Sequence, residues 1–275
     1  PLYSSAASDV YKRQAIYVCA AFSVLLLLGI IIYVFAKGAR RVNWAFLTGV
    51  TSILHGTVGI AGNILNTLII ILLTMIITTP IGVGAAIYLN EYAKPGKLVT
   101  VIIFATETLA GIPSIIFGLF GMLFFGQLCH MGYSLLTGSL TLTLMVLPLV
   151  TRNTQEALKT VPDSFRTGAV GLGAGKWYTI RTILLPSAMP GIVTGVILAI
   201  GRIIGESAAL LFTAGSAHLL PKTFNAFLEK IFHSGGTLTI QLYLSASKGE
   251  FEVAFGIAVV PVSYTHLRAH ETRED

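Results

Sequence analysis

Arg202 and Glu206 stand four residues apart in AIGRIIGESAALLFTA, residues 199–214, a run apolar enough for the interior of a membrane. On one helix that spacing puts both side chains on one face, where they can pair. An ionised Arg within a span costs at least about 2.5 kcal/mol, so such residues face a bundle interior or a water-filled path. A guanidinium offers a planar fork of donors that fits an oxyanion. A Glu one turn away neutralises it when no anion is bound. Two uses stand open: passage of an anion, or a structural ion pair that ties helices together. Glu107, six residues before Pro113, is a third ionisable group in an apolar run. It needs a proton or a partner: Arg202, an Arg of a partner subunit, or a packing contact near the interface. Arg152, just past Pro148, reads as an anchor whose charge reaches the headgroups.

Other chemistries find little support. His55, His130, His218 and His233 are scattered outside the apolar runs, and His266 and His270 lie near the C-terminus. The sequence contains no H-E-x-x-H, no Gly-x-Ser-Gly and no Walker A motif, so ATP is not bound in the P-loop manner. Ser207 follows Glu206, but no His in the same run could act as its base. Cys19 and Cys129, the two cysteines, sit in or beside apolar segments and form neither a disulfide framework nor a metal site. No cofactor is implied.

The elements that must position these residues are membrane spans. The chain has 275 residues, 54% hydrophobic and 11% charged, with a mean hydropathy of +0.80. Soluble domains carry about 25% charged residues, so an all-α, polytopic helical membrane protein is expected. Net charge is +6, but no run of Lys and Arg exceeds two residues, which suits membrane loops and not nucleic acid. Spans are expected over 15–36, 64–89, 98–126, 133–150 and 187–217, and 251–260 begins a sixth that is cut short. An amphipathic helix is expected around 223–232. The polar ends, 1–14 and 262–275, read as non-native tails, and the native protein is expected to continue past residue 261. Residues 15–63 then hold the first span and an extracytoplasmic loop, and 64–261 the main bundle. With a cytoplasmic N-terminus, the inside loops hold seven Lys and Arg against six outside. Charge alone therefore barely sets the orientation.

Residues 153–186 make the largest polar loop, and 156–186 read EALKTVPDSFRTGAVGLGAGKWYTIRTILLP. Asp163 or Ser164 suits a helix N-cap, and Gly173 suits a helix stop. Two short helices, over 163–172 and 176–185, would meet there as an elbow outside the membrane.

The loop also carries a resemblance. Gly173, nine residues, Ile183, one residue and Leu185-Pro186 match G-x9-I-x-L-P, a signature of the inner-membrane permeases of binding-protein-dependent ABC importers. The preceding E-A-A positions hold Thr167, Gly168 and Ala169: the last Ala fits, and Thr167 replaces the Glu. GIPSIIFGLFG (111–121), LTLTLMVLPLVTRNTQEALKTVP (140–162), AIGRIIGESAALLFTA and GIAGNILNTL (59–68) resemble the phosphate permeases of the PstA family. The likeness runs in order over roughly 15–261. It implies a type I importer bundle of about six transmembrane helices, with no catalytic site of its own. It also implies a PstC-like permease as heterodimer partner, a PstB-like ATPase dimer on the loop, an external phosphate-binding protein, and inorganic phosphate passing near Arg202 and Glu206. A permease for another oxyanion or solute, and an ATP-independent channel or secondary transporter, are the rival readings.

Overall fold

Apolar runs with few charges fold here into helices, because a bilayer offers no partners for free backbone groups. The computed structural model describes residues 2–52, 57–94, 96–221 and 223–271. Helix α1, Leu2–Gly38, begins within the segment set apart as a tail. Its apolar stretch is not buried against the rest of the chain. A short capped helix, α2 (Trp44–Thr48), follows, with Asn43 Oδ1 accepting from the Phe46 amide at 2.8 Å. Strands β1 (Val50–Ser52) and β2 (Thr57–Ile60) pair antiparallel between the first two spans.

Helix α3, Ala61–Ile87, continues through a π-helical segment, Tyr88–Tyr92. The third expected span is broken. Helix α4 (Lys97–Gly111) and helix α5 (Ser114–Gly121, prolonged by a π segment to Leu128) meet at an angle of 102°. Pro113 lacks an amide hydrogen and disfavours a helical Ile112, and both residues are extended. Helix α6, Leu135–Lys159, outruns the expected 133–150 by more than two turns and is capped by Ser134.

The polar loop holds α7, Asp163–Gly171, and α8, Lys176–Thr179. Helix α8 does not stand apart as a second short helix. It passes through a π turn, Ile180–Leu184, into α9, Leu185–Gly205, as one rod. The proline at 186 removes a donor and crowds the carbonyl four residues back, and a wide π turn absorbs that mismatch without a break. Four more helices complete the chain: α10 (Ala208–Thr213), α11 (Phe224–Lys230), α12 (Leu238–Ser247) and α13 (Phe251–Glu271). Helix α11 is the expected amphipathic segment; α12 was not anticipated. Among the described residues, four helices are long and apolar enough to span a membrane, the bent pair supplies a fifth if it counts as one span, and α13 begins with a shorter apolar helix.

Helices α3 and α6 are the most intimately packed pair. A Cβ on Gly82 would lie 2.9 Å from Val150 Cγ1, so the helices touch where glycine leaves room. Thr141, Ser139 and Thr143 turn their hydroxyls back to the carbonyls of Thr137, Leu135 and Ser139 at 2.8 Å, leaving apolar surface for packing. Ile70, Leu142, Met145, Ala199, Leu210 and Ile240 join α3, α6, α9, α10 and α12 in the main core. A second cluster, with Leu158, Ile180, Leu184 and Ala188, lies beneath the polar loop.

Candidate functional site

Two regions hold all the candidate residues but Glu107: the polar elbow at one end of the bundle and the broken end of α9 at the other.

The elbow begins at Pro162, whose backbone is extended, and Asp163 is the first residue of α7 and not its cap. The Asp163 carboxylate instead accepts from Arg166 at 3.1 Å. Gly173 has φ +80°, a region that favours glycine. Its amide donates to Val170 O at 2.9 Å, and the Ala174 amide donates to Ala169 O at 3.0 Å. That pair of bonds is a Schellman closure with Gly173 in the left-handed position. Of the motif residues, Ala169 is buried, Thr167 and Gly168 are exposed, Ile183 and Leu185 are half-buried, and Pro186 is exposed.

Sequence reasoning missed two features of the elbow. Leu172 is 91% exposed, and Val170, Trp177 and Tyr178 also present apolar surface. Their signal was legible: large apolar side chains in a polar, glycine-rich loop. The other is Arg166, read only as one loop cation among several. Its Nη2 meets Glu91 Oε1 at 2.9 Å and Leu158 O at 3.0 Å, and its Nη1 meets Val161 O at 3.0 Å as well as Asp163. The hydrogen bond to Glu91 raises the Arg166 pKa above its ordinary value. Nothing local in the sequence joins residues 75 positions apart.

At the other end, the expected helical pairing of Arg202 with Glu206 is not made. Helix α9 stops at Gly205, and Glu206 takes an extended backbone, so the one-turn spacing no longer puts both on a common face. Glu206 Oε1 accepts from the Ala209 amide at 3.0 Å, which caps the start of α10, and Glu206 O accepts from Thr239 Oγ1 at 2.8 Å. The break thereby finds partners for both its donor and its acceptor. Arg202 is half-buried beside the buried row Ala188, Ile192, Gly195, Ala199 and Ile203. Glu107 is exposed on α4. Among the described residues neither Arg202 nor Glu107 forms an ion pair. Also among the described residues, no three His, Cys, Asp or Glu side chains gather as a metal site. A cavity of about 440 Å³ between α3, α4, α5 and α6 is lined mainly by apolar groups such as Ile102, Phe117 and Leu144, with the hydroxyls of Thr106 and Thr151 and no charged side chain.

A bundle of apolar helices with broken spans, carrying one glycine-jointed elbow into water, is the architecture of a membrane permease. The chain belongs to the family of binding-protein-dependent transport system inner membrane components, whose model matches residues 78–247. It is 37% identical to the probable ABC transporter permease protein YqgI of Bacillus subtilis, over 87% of this chain and 84% of that protein. It is 35% identical to the phosphate transport system permease protein PstA of Xylella fastidiosa (strain Temecula1), over 77% of each. Among solved structures, an inward-facing MetNI methionine ABC transporter matches with a TM-score of 0.55 at 19% identity, over 78% of this chain and 92% of that one. At that identity the likeness is one of fold. The molecule is therefore a multi-pass permease component of an ABC importer in the cytoplasmic membrane, and a separate ATPase and a substrate-binding protein are its expected partners.

Proposed function

We propose that this chain is the PstA-type subunit of an ATP-driven phosphate importer and forms half of its translocation pathway. The observation that carries the reading is Arg202. It is a half-buried guanidinium on α9, beside the break at Glu206, with no ion-pair partner among the described residues. A charge held there needs an anion or water to face. Its forked donors suit a tetrahedral oxyanion. Relatives at 34–37% identity that carry the name of phosphate transport permeases support the choice of phosphate.

In this reading Arg202 attracts the anion, and Glu206 holds the break in α9 that gives it room. Glu107 contributes charge from α4, toward a PstC-like partner subunit. Residues 1–14 and 262–275 are non-native tails, and 64–261 carry the transport bundle within membrane lipid. A PstB-like ATPase dimer grips the elbow through Val170, Leu172, Trp177 and Tyr178, with Thr167 and Gly168 exposed beside them. ATP binding closes the dimer, the elbow moves, and the two permeases open outward to a phosphate-binding protein. This subunit catalyses nothing itself, and nucleic acid plays no part.

The test is uptake of radiolabelled phosphate, sulfate and molybdate into proteoliposomes holding the permease pair, the ATPase and the binding protein. ATP-dependent phosphate uptake that excess sulfate does not suppress is the expected result. Uptake of another solute in place of phosphate would assign that substrate instead, and uptake without ATP would overturn the importer reading.

A further inference from the structure

The geometry points to Arg166 and Glu91 as a transmission clamp that carries motion of the elbow directly into α3. This rests on the reading of the chain as an ATP-driven phosphate permease.

The elbow is covalently joined only to α6 and α9. Yet both of its helical arms also hold the π segment that ends α3. From α7, Arg166 Nη2 reaches Glu91 Oε1 at 2.9 Å. From the start of α8, Lys176 Nζ lies 4.9 Å from the centroid of the Tyr92 ring, a cation–π contact. The Glu91 side chain is only 9% exposed and Arg166 23%, so water screens their pairing far less than at an open surface. Glu91 is itself steadied by Asn90 Nδ2 at 2.7 Å. The remaining guanidinium donors fix Arg166 to the carbonyls of Leu158 and Val161, at the end of α6. One planar group thus locks α7, the end of α6 and the end of α3 in a single arrangement. A lysine could not reproduce it, having one point charge where a fork is needed.

Helix α3 delivers the motion elsewhere. At its far end Asn63 Nδ2 donates to Gly236 O at 3.0 Å, and Asn66 Nδ2 donates to Ala217 O at 3.0 Å and Gly236 O at 2.9 Å. Gly62 lies against the His218 carbonyl with no room for a Cβ. These are the segments on either side of α11, beyond the break at Glu206. A rod clamped to the elbow at one end and hydrogen-bonded to the segments flanking α11 at the other links the elbow to the far end of the bundle without passing through α9.

The experiment compares Arg166→Gln, Arg166→Lys, Glu91→Gln and the Arg166→Gln/Glu91→Gln double variant in the full complex. It reads three quantities: ATPase retained on purification, ATP hydrolysed, and inorganic phosphate taken up per ATP. The expected result is unchanged ATPase association with phosphate per ATP at least tenfold lower in Arg166→Gln. Glu91→Gln and Arg166→Lys should fall in between. The double variant should be no worse than Arg166→Gln, as expected of two residues acting through one contact. A wild-type ratio in Arg166→Gln overturns the clamp, as does loss of the bound ATPase or a double variant whose losses multiply. If the wild-type complex itself moves no phosphate with ATP, it is the phosphate reading that fails, before any variant is compared.

Discussion

Gly173 and Glu206 each replace a simple expectation with a specific geometry. At Gly173 the backbone is left-handed and nothing lies within 4 Å of where a Cβ would be, so a substitution is strained by conformation and not by crowding. Gly173→Leu should cost roughly 1–2 kcal/mol locally. It should open the elbow and lower phosphate uptake with insertion intact; uptake and membrane content measured together check this. Glu206 acts as a cap, which separates its variants. Glu206→Gln keeps an oxygen for the Ala209 amide and should retain most uptake, whereas Glu206→Ala loses the cap, at roughly 1 kcal/mol, and should transport poorly. Arg202→Gln should abolish uptake in a normally assembled complex, and Arg202→Lys should impair it. Residues 202 and 206 stand out in the sequence because charge is rare in an apolar run. Their relation is not legible, because the only local sign of a stop is Gly205, glycine is frequent inside membrane helices, and Ile203, Ile204, Ala208 and Ala209 are acceptable to a continuous helix.

Among elements, the spans were read well from hydropathy and their joints poorly. The long apolar runs gave the positions of α1, α3, α6 and α9 to within a few turns, since about 20 apolar residues leave the chain few alternatives. The 102° bend between α4 and α5 was hidden because prolines also occur in continuous membrane helices, and Pro80, Pro148 and Pro190 all lie inside helices here. Close approach between elements rests on glycine. Gly121 faces Thr141 so tightly that a Cβ would collide with its Oγ1 and Cγ2. Gly121→Ala should therefore destabilise the α5–α6 contact by about 1–3 kcal/mol. Thr141→Ala in the same chain should recover only part of the loss, because the Thr141 Cβ itself stands 2.9 Å from the new methyl group, as read from thermal unfolding in detergent.

For the whole molecule, the fold orders its two ends. The Arg166–Glu91 contact puts the ends of α3 and α6 beside the elbow, and Cys129, just before the start of α6, lies at the opposite end of that helix from Leu172. With the elbow in the cytoplasm, an impermeant maleimide should label Cys129 in intact cells. A Leu172→Cys, Cys129→Ser chain should react only after the membrane is opened. This assigns orientation, which seven against six loop charges hardly could.

The bend at Ile112-Pro113 has a last consequence, for hydration. Residues 109–111 and 113 are exposed and no Cβ neighbour approaches Gly111; the Ile112 amide keeps Leu109 O at 3.3 Å and the Ile116 amide Pro113 O at 3.0 Å, but the last carbonyls of α4 and the first amides of α5 fall outside any continuous helical ladder. Hydrocarbon does not tolerate such groups, at several kcal/mol each. That side of α4 must therefore meet either another protein or a column of water reaching into the bilayer. Deuterium exchange separates the two: amides at 114 and 115, the first of α5, that exchange quickly between slow neighbours in α4 and α5 mark a wetted wall, and protection that appears only with the second permease marks a sealed one.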